Sequence, residues 1–450
     1  MAKGREHFGS GATAVMAMAG SAIGLGNIWR FPYMVGQNGG AAFIVIYLLS
    51  AFFLSLPIFL SESILGRSTH AGTFGAMEKL APGTRWKWLG FLTVISPLII
   101  LSFYSVVGGW SIEYLMKAAG SGFGEGVSSL FGEFIVRPWA PLLCHTLFLL
   151  LTVGVVSAGV KSGIELFNRI SLPVLFVLIV VIMVYSLTLP GSSEGVRYLL
   201  KPDFGKITPS VVASAMGQSF FSLSLGVGTI LTYSSYMKKE ENLFSSGVGT
   251  AVFDLLFALL AGFAIMPAVF AEGIEPGAGP GLIFETLPFI FAKMGAAAPV
   301  LTRMVSILFF LTIVIAALTS SISMCEVGVA YLVEERKLSR PKATALIFAA
   351  TWLLGALCSL SFGPLSGVRI FGRSIFDFCD YLTSNYLMTF GSLLFVLFVG
   401  WKMSRTAVRD EFTGGGRFRG NDRVFGFVWF LIRYIAPWVI LIIFVTNLIA

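Results

Sequence analysis

A chain of 450 residues that is 56% hydrophobic and only 12% charged, with a mean hydropathy of +0.86, has too few charges to clothe a water-soluble surface. A net charge of +8 would elsewhere suggest nucleic acid, but here the positive-inside bias of a multi-pass membrane protein and its attraction to anionic lipid account for it. No phosphate-binding loop, nucleophile elbow or metal-ligand spacing is present, which argues against an ATP-driven pump and against an enzyme.

Met1–Ser10 is polar and does not read as a cleavable leader, so the N-terminus is expected in the cytoplasm. Apolar windows long enough to cross about 30 Å of hydrocarbon then recur near 11–36, 41–66, 88–117, 138–158, 164–189, 209–236, 243–271, 297–333, 341–362, 375–401 and 425–448. Eleven spanning helices are expected, in an all-α protein of the cell (inner) membrane. Threaded from a cytoplasmic N-terminus, the loops holding Arg67, Lys79, Arg85, Lys87, Lys161, Lys238, Lys239, Arg336 and the cluster Lys402–Arg423 fall inside.

The first window contains "AGSAIGLGNIWRFP", residues 19–32, where Gly24 and Gly26 interrupt an apolar helix and Asn27, Arg30 and Pro32 follow. The sixth repeats the device in "GQSFFSLSLGVGTI", residues 217–230, with Gly226 and Gly228 after Ser222 and Ser224. Unwound backbone at membrane depth is tolerated only where it lines a cavity or is buried in protein. Two breaks, five helices apart, predict an inverted repeat of residues 1–190 (helices 1–5) against 209–402 (helices 6–10), with residues 424–450 as an added eleventh helix. Freed amides attract an anion and freed carbonyls a cation, so a zwitterion with a metal ion suits both breaks.

Gly163 and Pro173 read as a weak point at the start of the fifth helix. Residues 274–295, rich in Pro and Gly, read as an external lid, and the basic, Gly-rich 403–423 as a flexible connector. The cysteines 144, 325, 358 and 379 are scattered singly and read as packing residues.

The stretches "GSAIGLGNIWRFPYMVGQNGGAAF", "FFSLSLGVGTILTYSSY" and "ALTSSIS" resemble the neurotransmitter:sodium symporter family, in its bacterial eleven-helix amino-acid-transporting form, from Arg5 to about Leu394. The resemblance implies alternating access driven by one or two sodium ions. A first sodium would take Ala22, Asn27, Ser222 and Asp254, and a second Gly20, Ile23, Ala316, Thr319 and Ser320. It implies a substrate site at Ser21, Gly24, Leu25, Gly26, Tyr104, Phe221, Ser222 and Ser224, with Ile100, Val227, Ser320, Ser323 and Met324 setting specificity. An outer gate would pair Arg30 with Asp380, and a cytoplasmic gate Arg5 with Glu334, assisted by Tyr236. Gly24 stands where aminergic members carry aspartate, which disfavours amines lacking a carboxylate. Asp254 stands where most members have Asn, and Ala258 where others have Ser or an acid, so chloride is not expected. The cargo expected is a hydrophobic or aromatic L-amino acid. An osmolyte or non-proteinogenic amino acid, and a non-transporting sensor of the same fold, remain the alternatives; the partners are substrate, sodium and the bilayer, with the oligomeric state open.

Overall fold

The computed structural model describes residues 6–124, 126–274, 282–295 and 298–449, and within these the chain is helical with one isolated bridge, Ile370 to Arg373. Helices α1 (Gly11–Ala22) and α2 (Gly26–Gln37) form one broken span bent by 53°. There follow α3 (Ala41–Thr69), α4 (Lys87–Ala119), α5 (Ala140–Ser157) and α6 (Val160–Leu187). The second discontinuous span is α7 (Pro209–Ser222) and α8 (Thr229–Ser234). After it come α9 (Leu243–Ala271), the short α10 (Leu287–Gly295), α11 (Pro299–Glu334), α12 (Arg340–Leu360), α13 (Ile375–Lys402), α14 (Arg405–Thr413) and α15 (Arg419–Thr446).

Every apolar window of the sequence therefore holds a helix. By length and composition nine helices and the bent α1–α2 pair can cross a membrane among the described residues. The sixth window is not among them because six residues, 223–228, separate its two pieces, neither of which is long enough alone.

Local chemistry explains the entry of each leading helix. Ser10 caps α1, its hydroxyl accepting from the Thr13 amide while the Thr13 hydroxyl accepts from the Ser10 amide. Thr208 caps α7, with Pro209 in the first turn where its missing N–H costs nothing. At the centre α4 packs along α11, both press against α12, and α11 also meets α1. The face carrying the N-terminus is called the N-terminal face below.

Two readings of the loops change. Residues 403–423 are an ordered brace. The Glu411 carboxylate accepts from the buried Arg67 guanidinium at the end of α3, Asn421 and Asn242 exchange amide hydrogen bonds of 2.9 and 3.3 Å, and Phe412 is fully buried against Phe244. A buried guanidinium needs a carboxylate, and that need overrides the flexibility of the glycines. The cysteines are not all solitary either: the Cys358 and Cys379 sulfurs lie 3.9 Å apart across the α12–α13 connection, as free thiols. Of the lid, residues 275–281 lie outside the described residues, while Phe284 packs edge-on to Trp110 and Tyr114. Gly163 sits in a π-turn opening α6, and Pro173 lies within a continuous helix.

Candidate functional site

The first break spans residues 23–25, and it is open because nothing but glycine fits. A Cβ on Gly24 would lie 2.3 Å from the Ser320 Oγ and 2.8 Å from the Tyr104 hydroxyl. Ile23 turns to extended backbone, which releases its carbonyl from the helix. The second break is set by left-handed backbone: φ is +79° at Gly226 and +73° at Gly228, and Ser224, with no such licence, also stands at +53°. The Gly226 amide donates to Glu62 Oε1 at 2.7 Å, so a fully buried carboxylate from α3 holds this loop. The sequence reading passed over Glu62; its signal was an acid inside an apolar window, which in a membrane marks function.

Three expected ligands of a first cation meet beside the first break. Asn27 Oδ1 accepts from the Gly24 amide at 3.1 Å, while its Nδ2 donates to Asp254 Oδ1 at 2.7 Å. The Ser222 hydroxyl donates to Asp254 Oδ2 at 2.8 Å and accepts from the Tyr47 hydroxyl at 3.2 Å. Asp254 is 1% exposed, and among the described residues no basic side chain pairs with it. A buried carboxylate without a counter-cation, surrounded by oxygen donors, fits a hard monovalent cation. Gln218 Oε1 is also buried without a partner there, its Nε2 donating to the Gly26 carbonyl at 3.1 Å.

The second expected set meets one helix away. The single proton of the Thr319 hydroxyl lies between the carbonyls of Ile23 at 3.0 Å and Ala316 at 2.8 Å, and that of Ser320 between those of Ser21 at 3.1 Å and Ile23 at 3.4 Å. These hydroxyls bond across to the broken helix as well as back along their own. The unpartnered Asn168 Oδ1 presses against Gly20, where a Cβ would come within 1.9 Å of it. Asn168 was not anticipated.

Between the breaks lies a cavity of about 30 Å³ walled by Ala22, Gly24, Gly26, Ile100, Tyr104, Phe221, Ser224, Val227, Ser320 and Met324, with Met388 of α13 added to the expected list. The Leu25 amide donates to the Tyr104 hydroxyl at 3.0 Å, leaving the phenol proton free for an anion. Ser21 donates to Ser323 at 2.7 Å instead of facing the cavity, and Ser222 belongs to the Asp254 cluster. Phe221 separates this cavity from an outer vestibule of about 450 Å³.

Arg30 and Asp380 both line the vestibule and form no ion pair; Arg30 lies over the Phe221 ring at 4.5 Å, and Asp380 accepts from Ser384 at 2.9 Å. Arg5 lies outside the described residues, and Glu334 accepts from the Gly72 amide at 2.8 Å. The N-terminal face is closed around Phe8, fully buried and edge-on to Tyr233 and Tyr236. Tyr236 donates to Glu326 at 2.6 Å, and Arg340 grips the same carboxylate; neither charged partner was anticipated.

Comparison with known proteins agrees with this geometry. A family model described as the sodium:neurotransmitter symporter family matches residues 5–123 and 136–450. The uncharacterized sodium-dependent transporter YhdH of Bacillus subtilis (strain 168) is 41% identical, over 97% of this chain and 96% of that protein. A sodium-dependent transporter of Haemophilus influenzae is 34% identical, over 99% of each. The crystal structure of MhsT in complex with L-phenylalanine superposes with a TM-score of 0.89 at 40% identity, covering 99% of this chain and all of that one.

Proposed function

Since the chain belongs to the sodium:neurotransmitter symporter family, and is a sodium-dependent multi-pass membrane transporter and not an enzyme, we propose that its cargo is a hydrophobic or aromatic L-amino acid, imported by alternating access. The observation that carries this reading is the unpaired, buried Asp254 carboxylate next to a pocket that cannot hold a side chain at Gly24. The transporter thus brings negative charge to its cation cluster and none to the amine end of the pocket, so the cargo supplies its own carboxylate. The solved relative bound to L-phenylalanine supports the same class.

Asn27, Ser222 and Asp254, with the Ala22 carbonyl, would hold one sodium ion; the carbonyls of Gly20, Ile23 and Ala316 with the hydroxyls of Thr319 and Ser320 would hold a second. Bound sodium supplies positive charge near the cargo's carboxylate and couples uptake to the membrane gradient, about 2.3 kcal/mol for each charge moved down 100 mV. Tyr104 and the Leu25 and Gly26 amides orient the carboxylate, while the carbonyls of Phe221 and Ser224 surround the amino group, and Ser21 joins them only by turning from Ser323 toward the cavity. Ile100, Val227, Met324 and Met388 form an apolar, partly soft wall for the side chain. Phe221 excludes vestibule water, and Arg30 with Asp380 closes over it. Arg5 with Glu334, beside Tyr236, seals the opposite end. In this reading the N-terminal face is cytoplasmic, residues 1–190 and 209–402 are the two moving halves, 274–295 covers the vestibule, and 424–450 stands outside the repeat.

The test is uptake of labelled phenylalanine and leucine into proteoliposomes under an inward sodium gradient, with potassium as control. Accumulation with sodium alone is expected. Binding without accumulation would make the protein a sensor, and accumulation of a betaine in place of any amino acid would overturn the cargo.

A further inference from the structure

Away from the transport pathway, an open groove of about 560 Å³ runs between the start of α4 and the end of α13 on the N-terminal face. Its mouth carries Arg85 and Lys402, both exposed, together with Trp88, which is 62% exposed. Its wall is apolar: Leu92 from one helix, Phe390 and Leu394 from the other. Trp86 meets Phe398 edge-on with 5.0 Å between ring centroids and ties the two helices together beside it.

Neither cation at the mouth has an acidic partner among the described residues, whereas Arg409 on the same face is paired with Asp422 at 2.8 Å. Two positive side chains that leave each other un-neutralised at the lip of one groove make an anion site. The wall below them excludes a merely soluble anion as the whole ligand, since it would leave the apolar part uncovered. Phe390 precedes Lys402 by twelve residues, so the wall descends about 18 Å into the bilayer at 1.5 Å per residue, the reach of a long acyl chain. An exposed Trp beside Arg and Lys is the composition of a headgroup-level anchor.

We propose that this groove binds an anionic glycerophospholipid, its phosphate held between Arg85 and Lys402 and one acyl chain laid along Leu92, Phe390 and Leu394. The site rests on the chain's spanning a bilayer and is independent of the cargo. Its consequence reaches the pocket all the same: α4 also carries Ile100 and Tyr104, and α13 carries Met388 and Asp380. A lipid bridging their ends fixes the spacing of two pocket walls.

The full-length protein, delipidated in neutral detergent, is to be titrated with phosphatidylglycerol and with phosphatidylcholine of the same chains, reading adducts by native mass spectrometry and the thermal unfolding midpoint. Phosphatidylglycerol should bind more tightly and raise the midpoint. Two charges near a membrane surface are worth about thirty-fold in affinity, so the double variant Arg85→Gln, Lys402→Gln should lose most of that preference, and the charge-keeping pair Arg85→Lys, Lys402→Arg should retain it. Leu394→Trp, which fills the wall, should weaken both lipids with the cations in place. Equal binding of the two lipids, or an unchanged preference in the double Gln variant, overturns the proposal. So does effective competition by glycerol 1-phosphate, which would make the groove a site for a free anion.

Discussion

The two broken spans share a Gly-x-Gly and a place in the membrane, yet they are held open by opposite means. At residues 23–25 the backbone opens without left-handed strain, extended at Ile23 and already helical at Leu25, and the groups that satisfy it are neutral: Tyr104, Thr319, Ser320 and Asn27 each bond to it. At residues 223–228 three left-handed residues set the path, and the buried Glu62 carboxylate is committed to the Gly226 amide. The first break offers ligands; the second is fixed scaffold against which they are arranged. Binding free energy can be directed at cargo and sodium only where the backbone's own demands leave donors and acceptors over.

The strongest way to break this comparison is Gly226→Ala. A Cβ there would lie 2.0 Å from the Met388 carbonyl, on backbone that L-residues adopt at a cost of about 1–2 kcal/mol before any clash. Both effects fall on the rigid break, so folded yield and thermal stability should collapse, by more than about 3 kcal/mol, together with all substrate binding. A variant of normal stability that lost only sodium affinity would show that the second break is the adaptable one.

Asp254→Asn should do the reverse. It keeps the shape and one acceptor oxygen while removing one unit of charge from the Asn27–Ser222 cluster, and the Ser222 hydroxyl can turn to accept from the new amide, so the fold should survive and the sodium needed for half-maximal binding should rise about tenfold or more, the equivalent of about 1.4 kcal/mol. With Asp254 as a sodium ligand, as proposed, protons would compete for the same carboxylate, so wild-type sodium affinity should fall as pH is lowered from 8.5 to 5.5, and the Asn variant's should not. Wild-type uptake should continue with gluconate replacing chloride. An Asn variant with the wild-type pH profile, or a wild type that stops without chloride, removes Asp254 from the site.

How far these regions could be read in advance follows from where their partners lie. The spans and both breaks were legible because glycines and polar residues stand out against an apolar background whose length is fixed by the bilayer, whereas the grouping of Asn27, Ser222 and Asp254 came from the family resemblance. Glu62 was visible as a residue and opaque as a function: its partner, Gly226, is 164 positions away. Met388 looks like any core methionine until α13 is folded against the pocket. The glycines of 414–416 suggested a loose connector, and the Arg67–Glu411 contact that makes it a brace joins residues 344 apart. Cys358 and Cys379 are drawn together only by the turn between α12 and α13. Residue type and local period can be read from a sequence, whereas the satisfaction of a buried charge is a long-range matter.

The mildest change gives the sharpest division between scaffold and ligand. Val227 lies inside the rigid break, between Gly226 and Gly228, but its side chain faces the cavity shared with Ile100, Phe221 and Met324 and is 1% exposed. Val227→Phe therefore leaves the left-handed glycines and the Glu62 contact untouched and acts on pocket volume alone. Overfilling a shaped apolar site costs about 1–3 kcal/mol, and that cost falls on cargo whose side chain needs the same space. Phenylalanine affinity should drop about tenfold or more, while that of alanine or valine changes less than about threefold, with thermal stability and sodium affinity near wild type. Competition binding against a series of aliphatic and aromatic amino acids reads this directly. A uniform loss across the series would mean that the second break cannot be altered even at a side chain without disturbing the first, and the division of labour between them would fail.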